Sequence, residues 1–135
     1  MPGFILAIDQ GTTGSTAMVL STDATVLAKA NREFAQHFPH PGWVEHDLAQ
    51  IWESVTQSVG EALRTAKVDP KDCRAIGITN QRETTVVWHR STGAPIHRAI
   101  VWQDRRTADR CAHGTSPRGR PTSTPRTGLV LDPYF

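Results

Sequence analysis

An acidic residue and several hydroxyl-bearing residues lie close together near the start of the chain, in the string Asp9-Gln10-Gly11-Thr12-Thr13-Gly14-Ser15-Thr16. The apolar run from Phe4 to Ile8 predicts a buried strand that ends at Asp9, and Gly11 to Gly14 predicts a turn. Such a turn can direct backbone N–H groups and threonine hydroxyls at phosphate oxygens, and the carboxylate can hold Mg²⁺ through water. No Gly-Lys-Ser/Thr follows, so the motif is not a P-loop. An ordinary hairpin turn explains the composition equally well.

A second polar string runs from Thr79 to Thr85 and follows a predicted apolar strand, which is a common place for a site in an α/β domain. Within it, Arg82 stands beside Glu83, so donors and an acceptor are offered to the same ligand. Hydroxyl groups suit such a pair, because each hydroxyl both donates and accepts a hydrogen bond. Taken without other information, a solvated loop with a surface ion pair is the simpler interpretation.

Aromatic residues supply the third candidate. Trp102 ends an apolar strand and could form one wall of a pocket, although core packing is the simpler interpretation. Trp52 lies on a helical apolar stripe, so we expect it in the core. Arg105 and Arg106 are most simply interpreted as a solvated helix face. The six histidines are scattered and show no zinc-ligand spacing.

The elements that position these residues alternate between strands and one long helix. The predicted strands are Phe4 to Ile8, Ala17 to Leu20, Thr25 to Phe34, Ala75 to Thr79, Thr84 to Trp88 and Ala99 to Trp102. Residues 35–46 contain prolines and a glycine and predict a loop. A helix should begin at Asp47 as N-cap, with Gln50 completing a capping box, and should bury its apolar stripe against the sheet. A helix in this place permits a parallel crossover to a buried strand at Ala75, and 103–111 can be helical.

Composition limits the classes of function. The 135 residues are 38% apolar and 21% charged, which is enough for one domain with a modest core. A formal net charge of +2 gives no reason to expect a nucleic-acid partner. We expect no membrane span and no signal peptide, and therefore a cytoplasmic protein. Cys73 and Cys111 fit a reducing compartment better than a disulfide scaffold.

Residues 112–126 differ from the rest, because they read AHGTSPRGRPTSTPR and contain no large apolar side chain. The segment alone predicts a disordered linker.

Several strings together resemble glycerol kinases of the FGGY class of sugar and polyol kinases. They are Leu6 to Thr13, Pro41 to Asp47, Gly77 to Thr85, Ile100 to Gln103 and Thr127 to Phe135. The first is shared across the class, whereas Trp-Val-Glu-His-Asp and Asn-Gln-Arg-Glu-Thr are more specific and favour glycerol. The resemblance extends over residues 1–135 apart from 112–126, which interrupt it without changing the spacing. We therefore hypothesise that 112–126 are read out of frame or are disordered.

The resemblance implies an α/β, actin/hexokinase-like (ribonuclease H-like) N-terminal domain, incomplete, with a mixed sheet, antiparallel hairpins and a crossover helix. It implies ATP and Mg²⁺ as cofactors and glycerol as the phosphoryl acceptor, in a family of homo-oligomers. By position, Asp9 would organise Mg²⁺ through water, while Thr12, Thr13 and Gly14 would hold the nucleotide phosphates.

Four further residues are assigned to glycerol by the same resemblance. Arg82, Glu83 and Tyr134 would contact its hydroxyls, and Trp102 would face its carbon atoms. Two positions depart from the family pattern: Gly14 stands where serine is common, and Thr16 where an arginine that reaches the nucleotide is common. Loss of that cation puts tight phosphate binding in doubt.

Relatives of this kind are much longer, and the resemblance puts the catalytic base and the second domain beyond Phe135. We expect a fragment of a glycerol kinase that is inactive alone, with no catalytic residue in this chain. The alternatives are another FGGY sugar or polyol kinase, a non-catalytic gene remnant, and an actin-like or chaperone ATPase, which would leave the polyol-type strings unexplained.

Overall fold

The computed structural model describes residues 3–114 and 127–134. These residues form two compact units, and the first contains residues 3–35 and 47–81. Its sheet has four strands in the order β3-β2-β1-β6: β1 is Phe4–Gln10, β2 is Gly14–Ser21, β3 is Val26–Glu33 and β6 is Cys73–Asn80. Strands β1, β2 and β3 are antiparallel neighbours, whereas β6 runs parallel to β1. The expected mixed sheet with hairpins and a crossover helix is confirmed.

The crossover is α1, Leu48–Ala66. Asp47 is its N-cap, as expected, and accepts a hydrogen bond of 2.8 Å from the Ala49 N–H. The capping box is not formed, because the buried Oε1 of Gln50 accepts no hydrogen bond and so does not return to the cap. The helix ends at Lys67, which adopts a left-handed conformation with φ 53° and donates to the Arg64 and Leu63 carbonyls.

Small residues form the face on which α1 meets the sheet. Ser54, Ser58 and Ala62 are its buried residues, and the Ser15 and Ser54 hydroxyls lie 2.7 Å apart. The core beneath consists of Phe4, Leu6, Ala17, Val19, Ala30 and Ala62. Because the side chains at the contact are short, the helix can approach β2 and β3 closely.

Two burial predictions are wrong. Strand β6 is mostly exposed, with Ile76 at 58% and Ile78 at 73%, and Trp52 is 69% exposed rather than part of the core. The physical reason is the placement of α1, which packs mainly over β2 and β3 and only slightly over β1. An open groove of about 630 Å³ is left beside it, lined by Leu6, Ile8, Gln10, Ile51, Trp52, Val55, Thr56, Val59, Gly60, Ile76 and Ile78. We call it the apolar groove.

The second unit contains residues 36–46 and 82–134, within the described ranges. Three two-residue strands form its sheet in the order β4-β5-β7: β4 is Gln36–His37, β5 is Glu45–His46 and β7 is Ala99–Ile100. Both strand pairs are antiparallel. Helix α2 spans Ala108–Gly114.

Several expected bounds in this unit need correction. Residues 35–46 contain β4 and β5 rather than only a loop. The strand expected from Thr84 to Trp88 is reduced to isolated bridges, Thr85 with Ile100 and Trp88 with Pro95. Turns lie at 102–103 and 106–107, so the helix expected from residue 103 begins only at Ala108. The reason lies in the turn itself, where the Asp104 side chain accepts the Arg106 N–H and so competes with helical hydrogen bonding.

The hypothesis of a disordered or out-of-frame segment at 112–126 falls, from residue 115 onward, outside the described residues. Among the helices of the described ranges, none is long and apolar enough to cross a membrane.

Candidate functional site

Asp9 lies near the carboxyl end of β1 and is exposed. Its neighbours across the sheet are Thr16 on the antiparallel β2 and Thr79 on the parallel β6. The end of β1 is further joined to the chain beyond β6, because the Gln81 N–H donates to the Gln10 carbonyl over 2.7 Å. The sheet therefore presents a carboxylate with a threonine on either side of it.

The turn that follows Asp9 is closed by a hydrogen bond of 2.9 Å from the Gly11 N–H to the Gly14 carbonyl. Thr13 is exposed, and its carbonyl accepts the Phe34 N–H over 3.3 Å, which ties the turn to the end of β3. Thr12 and Thr13 thus stand on a closed turn directly after the carboxylate, as expected.

The structure gives a reason for glycine at position 14. A Cβ atom there would lie 2.7 Å from the Arg32 carbonyl oxygen and 3.0 Å from the Glu33 Cα. Both atoms belong to the backbone of β3, which cannot move aside as a flexible side chain does. The serine common in the family at this position is therefore excluded by the close approach of β3 in this chain.

Thr16 also has a structural role. Its hydroxyl oxygen accepts a hydrogen bond of 2.9 Å from the Asn31 side chain, which also donates to the Ser15 carbonyl over 3.3 Å. Where the resemblance places an arginine that reaches a nucleotide, this chain therefore uses the side chain to join β2 to β3.

Asp9 could contribute to binding a divalent cation that keeps most of its waters. Among residues 3–114 and 127–134, no three His, Cys, Asp or Glu side chains are grouped as a metal cage. A single exposed carboxylate at a strand end suits Mg²⁺, which keeps most of its waters and is often held by one or two carboxylates together with substrate phosphates. The donor set thus fits a nucleotide-bound Mg²⁺ and not a resident structural ion.

In the second unit, a cavity of about 220 Å³ contains two of the expected polyol residues in its wall. It is lined by Glu83, Thr85, Ile100, Val101, Asp104, Arg106, Thr107, Pro133 and Tyr134; we call it the Glu83 cavity. Glu83 itself adopts a left-handed backbone with φ 58°, which is uncommon outside glycine and clusters at functional sites.

Trp102 stands next to this cavity. Its backbone N–H donates to the Thr84 hydroxyl over 3.4 Å, and its ring meets the Tyr134 ring edge to face at 5.6 Å. Glu83, Trp102 and Tyr134 are therefore brought together, although they come from three separate stretches of sequence. Arg82 is exposed and is not one of the residues that line the cavity.

Sequence reasoning missed the charged cluster under this cavity, and the expectation that Arg106 forms a solvated helix face is wrong. The Arg106 side chain is 15% exposed and pairs with the Glu45 and Asp104 carboxylates at 2.9 and 2.8 Å. Its guanidinium also lies 3.8 Å from the centre of the Trp43 ring. The short spacing of Asp104 and Arg106 was a usable signal, but nothing in the sequence points from Arg106 to Glu45.

Charge pairing decides the ionisation of this cluster. Burial on its own raises the pKa of the Asp104 carboxyl, but the hydrogen bonds from Arg106 and from the Val44 N–H outweigh it, so that pKa lies below its usual range. The hydrogen bond from Arg106 to Asp104 raises the pKa of the Arg106 guanidinium, and the hydrogen bond to Glu45 adds to this effect. Burial alone would lower that pKa, but the two hydrogen bonds outweigh it. The carboxylate and the guanidinium therefore remain charged at neutral pH.

A second arginine holds the segment that carries Tyr134. Arg105 Nη1 donates to Asp132 Oδ1 over 2.8 Å, and the same oxygen accepts the Tyr134 N–H over 3.0 Å. The effects of the Tyr134 N–H and of Arg105 lower the pKa of Asp132. Tyr134 is thus anchored by the residues on either side of the undescribed stretch 115–126.

The sequence is similar to those of known carbohydrate kinases. The model of the FGGY family of carbohydrate kinases, N-terminal domain, matches residues 4–135. The glycerol kinase of Bradyrhizobium sp. (strain ORS 278) is 58% identical over 132 residues, which are 98% of this chain and 26% of that enzyme. The glycerol kinase of Chelativorans sp. is 56% identical over the whole chain, which covers 27% of that enzyme. The chain therefore spans about a quarter of the length of these relatives.

Solved structures agree at the level of fold. A Plasmodium falciparum glycerol kinase with ADP superposes with a TM-score of 0.85 at 30% identity, over 98% of this chain and 26% of that one. A xylulose kinase from Rhodospirillum rubrum gives 0.80 at 29% identity, over 95% and 26%. A gluconate kinase from Lactobacillus acidophilus gives 0.86 at 18% identity, over 97% and 26%, and so supports the fold alone. The expected actin/hexokinase-like class is confirmed by these neighbours.

Proposed function

The chain belongs to the FGGY family of carbohydrate kinases, and on this premise we propose that it is the N-terminal part of a glycerol kinase, which transfers a phosphoryl group from ATP to a terminal hydroxyl of glycerol. The observation that carries the proposal is that Glu83 and Tyr134 line one small cavity while the Trp102 ring contacts Tyr134, in a chain 58% identical to a glycerol kinase. We place the enzyme in the cytoplasm and expect a homo-oligomer.

On the polyol side, the Glu83 carboxylate accepts hydrogen bonds from glycerol hydroxyls, and the Tyr134 hydroxyl supplies a group that both donates and accepts. The edge-to-face pair of Trp102 and Tyr134 offers an apolar surface to the carbon atoms. Arg82 completes the set in our proposal by turning its exposed side chain toward a bound hydroxyl. Together these residues orient one hydroxyl for attack, and orientation supplies much of the rate of such reactions.

On the nucleotide side, the turn of Thr12, Thr13 and Gly14 binds phosphate oxygens, and Asp9 orients the waters around Mg²⁺. When bound, MgATP supplies the phosphoryl group and the cation that neutralises charge on the β- and γ-phosphates. Thr16 contributes no positive charge at this turn. We therefore expect weaker phosphate binding than in relatives with arginine there.

A hybrid enzyme tests the proposal. Residues 4–135 replace the matching quarter of the Bradyrhizobium glycerol kinase, and the hybrid is assayed with glycerol, xylulose and gluconate. A second hybrid keeps that enzyme's own residues at the positions of 112–126. Preference for glycerol in either hybrid supports the proposal, whereas preference for xylulose favours the other FGGY kinases. No turnover in both hybrids favours a non-catalytic remnant.

The Glu83→Ala variant of the active hybrid tests the polyol site itself. It should lower kcat/KM for glycerol about tenfold to a hundredfold, because a hydrogen bond to a charged group contributes roughly 1.5–3 kcal/mol. Asp109→Ala is the matched control, since Asp109 is an exposed carboxylate of α2 that does not line the Glu83 cavity. Equal glycerol kinetics in the two variants would remove Glu83 from the site.

A further inference from the structure

Arg106 joins two parts of the second unit that are far apart in sequence. Its Nη2 donates to Glu45 Oε1 over 2.9 Å and to Asp104 Oδ2 over 2.8 Å, while its Nε donates to Asp104 Oδ1 over 2.9 Å. Glu45 and Asp104 are only 5% and 4% exposed. One guanidinium thus pairs with two buried carboxylates, of which Glu45 also has His97 Nε2 at 3.9 Å. The planar fork of an arginine suits this geometry and a lysine ammonium does not.

Two hydrogen bonds attach the turn between Val101 and Arg106 to Val44, the residue that precedes β5. At its start, the Val101 N–H donates to the Val44 carbonyl over 3.1 Å. Toward its end, Asp104 Oδ2 accepts the Val44 N–H over 2.7 Å. Trp102 lies inside this turn, so the position of its ring depends on both attachments.

Removal of Arg106 would loosen the second attachment. Asp104 would remain buried without a countercharge, and Glu45 would keep only the more distant His97 imidazole at 3.9 Å. Such a loss is strongly unfavourable, so the carboxylates would move toward water or take up protons. The Trp43 ring would also lose the cation that lies on its face at 3.8 Å. The turn would then shift, and Trp102 would shift with it.

We propose that Arg106 is a positioning residue for the polyol site: through Asp104 and Glu45 it holds the turn that sets Trp102 against Tyr134 at the Glu83 cavity. The inference rests on the proposed function, because it assumes that this cavity accepts glycerol. A displacement of about 1 Å in such a site costs about a hundredfold in rate in other enzymes. A loss of glycerol affinity of about tenfold is therefore a modest expectation.

The test uses the 135-residue chain and glycerol itself. The indole N–H signals of Trp102 and Trp52 are followed by NMR during a glycerol titration, with Trp52 as an internal reference in the other unit. Trp102 should move with glycerol and Trp52 should not. In Arg106→Met, the glycerol affinity obtained from the Trp102 shift should be about tenfold lower. Arg106→Lys should restore little of that affinity. The exposed Arg110→Met should leave it unchanged.

Glu45→Gln separates positioning from direct contact and replaces Arg106→Met if that variant does not fold. Glu45 does not line the Glu83 cavity, so a severalfold loss in this variant supports positioning through the cluster. A loss in Arg106→Met or Arg106→Lys with none in Glu45→Gln would mean that Arg106 touches glycerol directly, and would overturn the inference. Unchanged titrations in all three variants would overturn it too. No movement of Trp102 in the unsubstituted chain would overturn the inference, whereas the proposed function is decided separately by the glycerol activity of the hybrids.

Discussion

His46 is fully buried, and its Nε2 lies 2.6 Å from Gln36 Oε1. Because that oxygen only accepts, Nε2 carries the proton of this bond. Burial, followed by the neighbouring charge of His37, lowers the pKa of the His46 imidazole from its ordinary value of 6.5. At pH values between the lowered pKa of the folded state and 6.5, this imidazole is therefore mainly neutral in the folded protein and mainly protonated in the unfolded chain.

The pH dependence of stability follows from this shift. Below about pH 6.5 the unfolded state binds the proton first, so the free energy of unfolding should fall as the pH decreases, by at most about 1.4 kcal/mol per pH unit for one proton. The decline should end once the pH is below the pKa of the folded state. Urea unfolding between about pH 7.5 and about pH 5 measures it.

Comparison of two variants isolates the contribution of His46. His46→Gln should flatten the slope between these pH values, whereas the exposed His89→Gln should not. An unchanged slope in His46→Gln would assign the pH dependence to other groups. The comparison of slopes remains valid even if His46→Gln lowers stability at every pH.

The charged cluster shows where residue-scale prediction fails. Asp9, Glu83, Trp102 and Tyr134 are proposed because residue type and family resemblance both point to them, and their roles stay predictions. Arg106 was misinterpreted because an arginine in a polar string has the same appearance whether it is solvated or buried. Its partner Glu45 lies 61 positions away, and only the fold brings them together.

At the scale of elements, the packing of β2 against β3 depends on the missing side chain of Gly14. Gly14→Ala should destabilise the protein by about 1–3 kcal/mol, because the new methyl group would press on the backbone of β3. Gly77→Ala in β6 is the matched control, since its Cβ would meet nothing within 4 Å. That variant should be neutral or slightly stabilising, because glycine weakens a strand interior.

Urea unfolding of both variants measures the difference. The unfolding midpoint of Gly14→Ala should lie clearly below that of Gly77→Ala. If the two midpoints coincide, the close approach of β3 to Gly14 does not constrain position 14.

Periodicity predicted the elements of the first unit better than their burial. The hairpins, the helix and the parallel strand are where the apolar pattern put them, because each depends on local sequence. Exposure of Trp52, Ile76 and Ile78 depends instead on where α1 lies across the sheet. The short strands β4, β5 and β7 have no periodicity to read at two residues each.

At the scale of the whole molecule, we expect no glycerol-dependent ATP hydrolysis or transfer by this chain alone. The chain spans about a quarter of the length of the glycerol kinases it matches, and the family resemblance puts the catalytic base outside its sequence. Without that base and the rest of the nucleotide site, the reacting groups are not positioned.

A coupled assay for ADP release, with glycerol and MgATP at high protein concentration, measures this directly. The Bradyrhizobium glycerol kinase assayed under the same conditions is the positive control. Robust glycerol-dependent turnover by the purified chain would contradict the prediction.

The hypothesis about 112–126 also belongs to this scale and stays a prediction. The strings on both sides fit the family, and the family model continues through residue 135. Resequencing the gene across this segment decides whether its reading frame is shifted.

The strand order β3-β2-β1-β6 also determines when the strands can pair while the chain is being synthesised on the ribosome. Strand β1 finds β2 after one turn, but its parallel neighbour begins only at Cys73, the partner of Phe4. At about 5–20 residues per second, β6 leaves the ribosome roughly several seconds after β1, whereas α1 can form within microseconds. During that interval one edge of β1 has no partner strand. Translation, rather than helix formation, therefore determines how long the nascent sheet stays open.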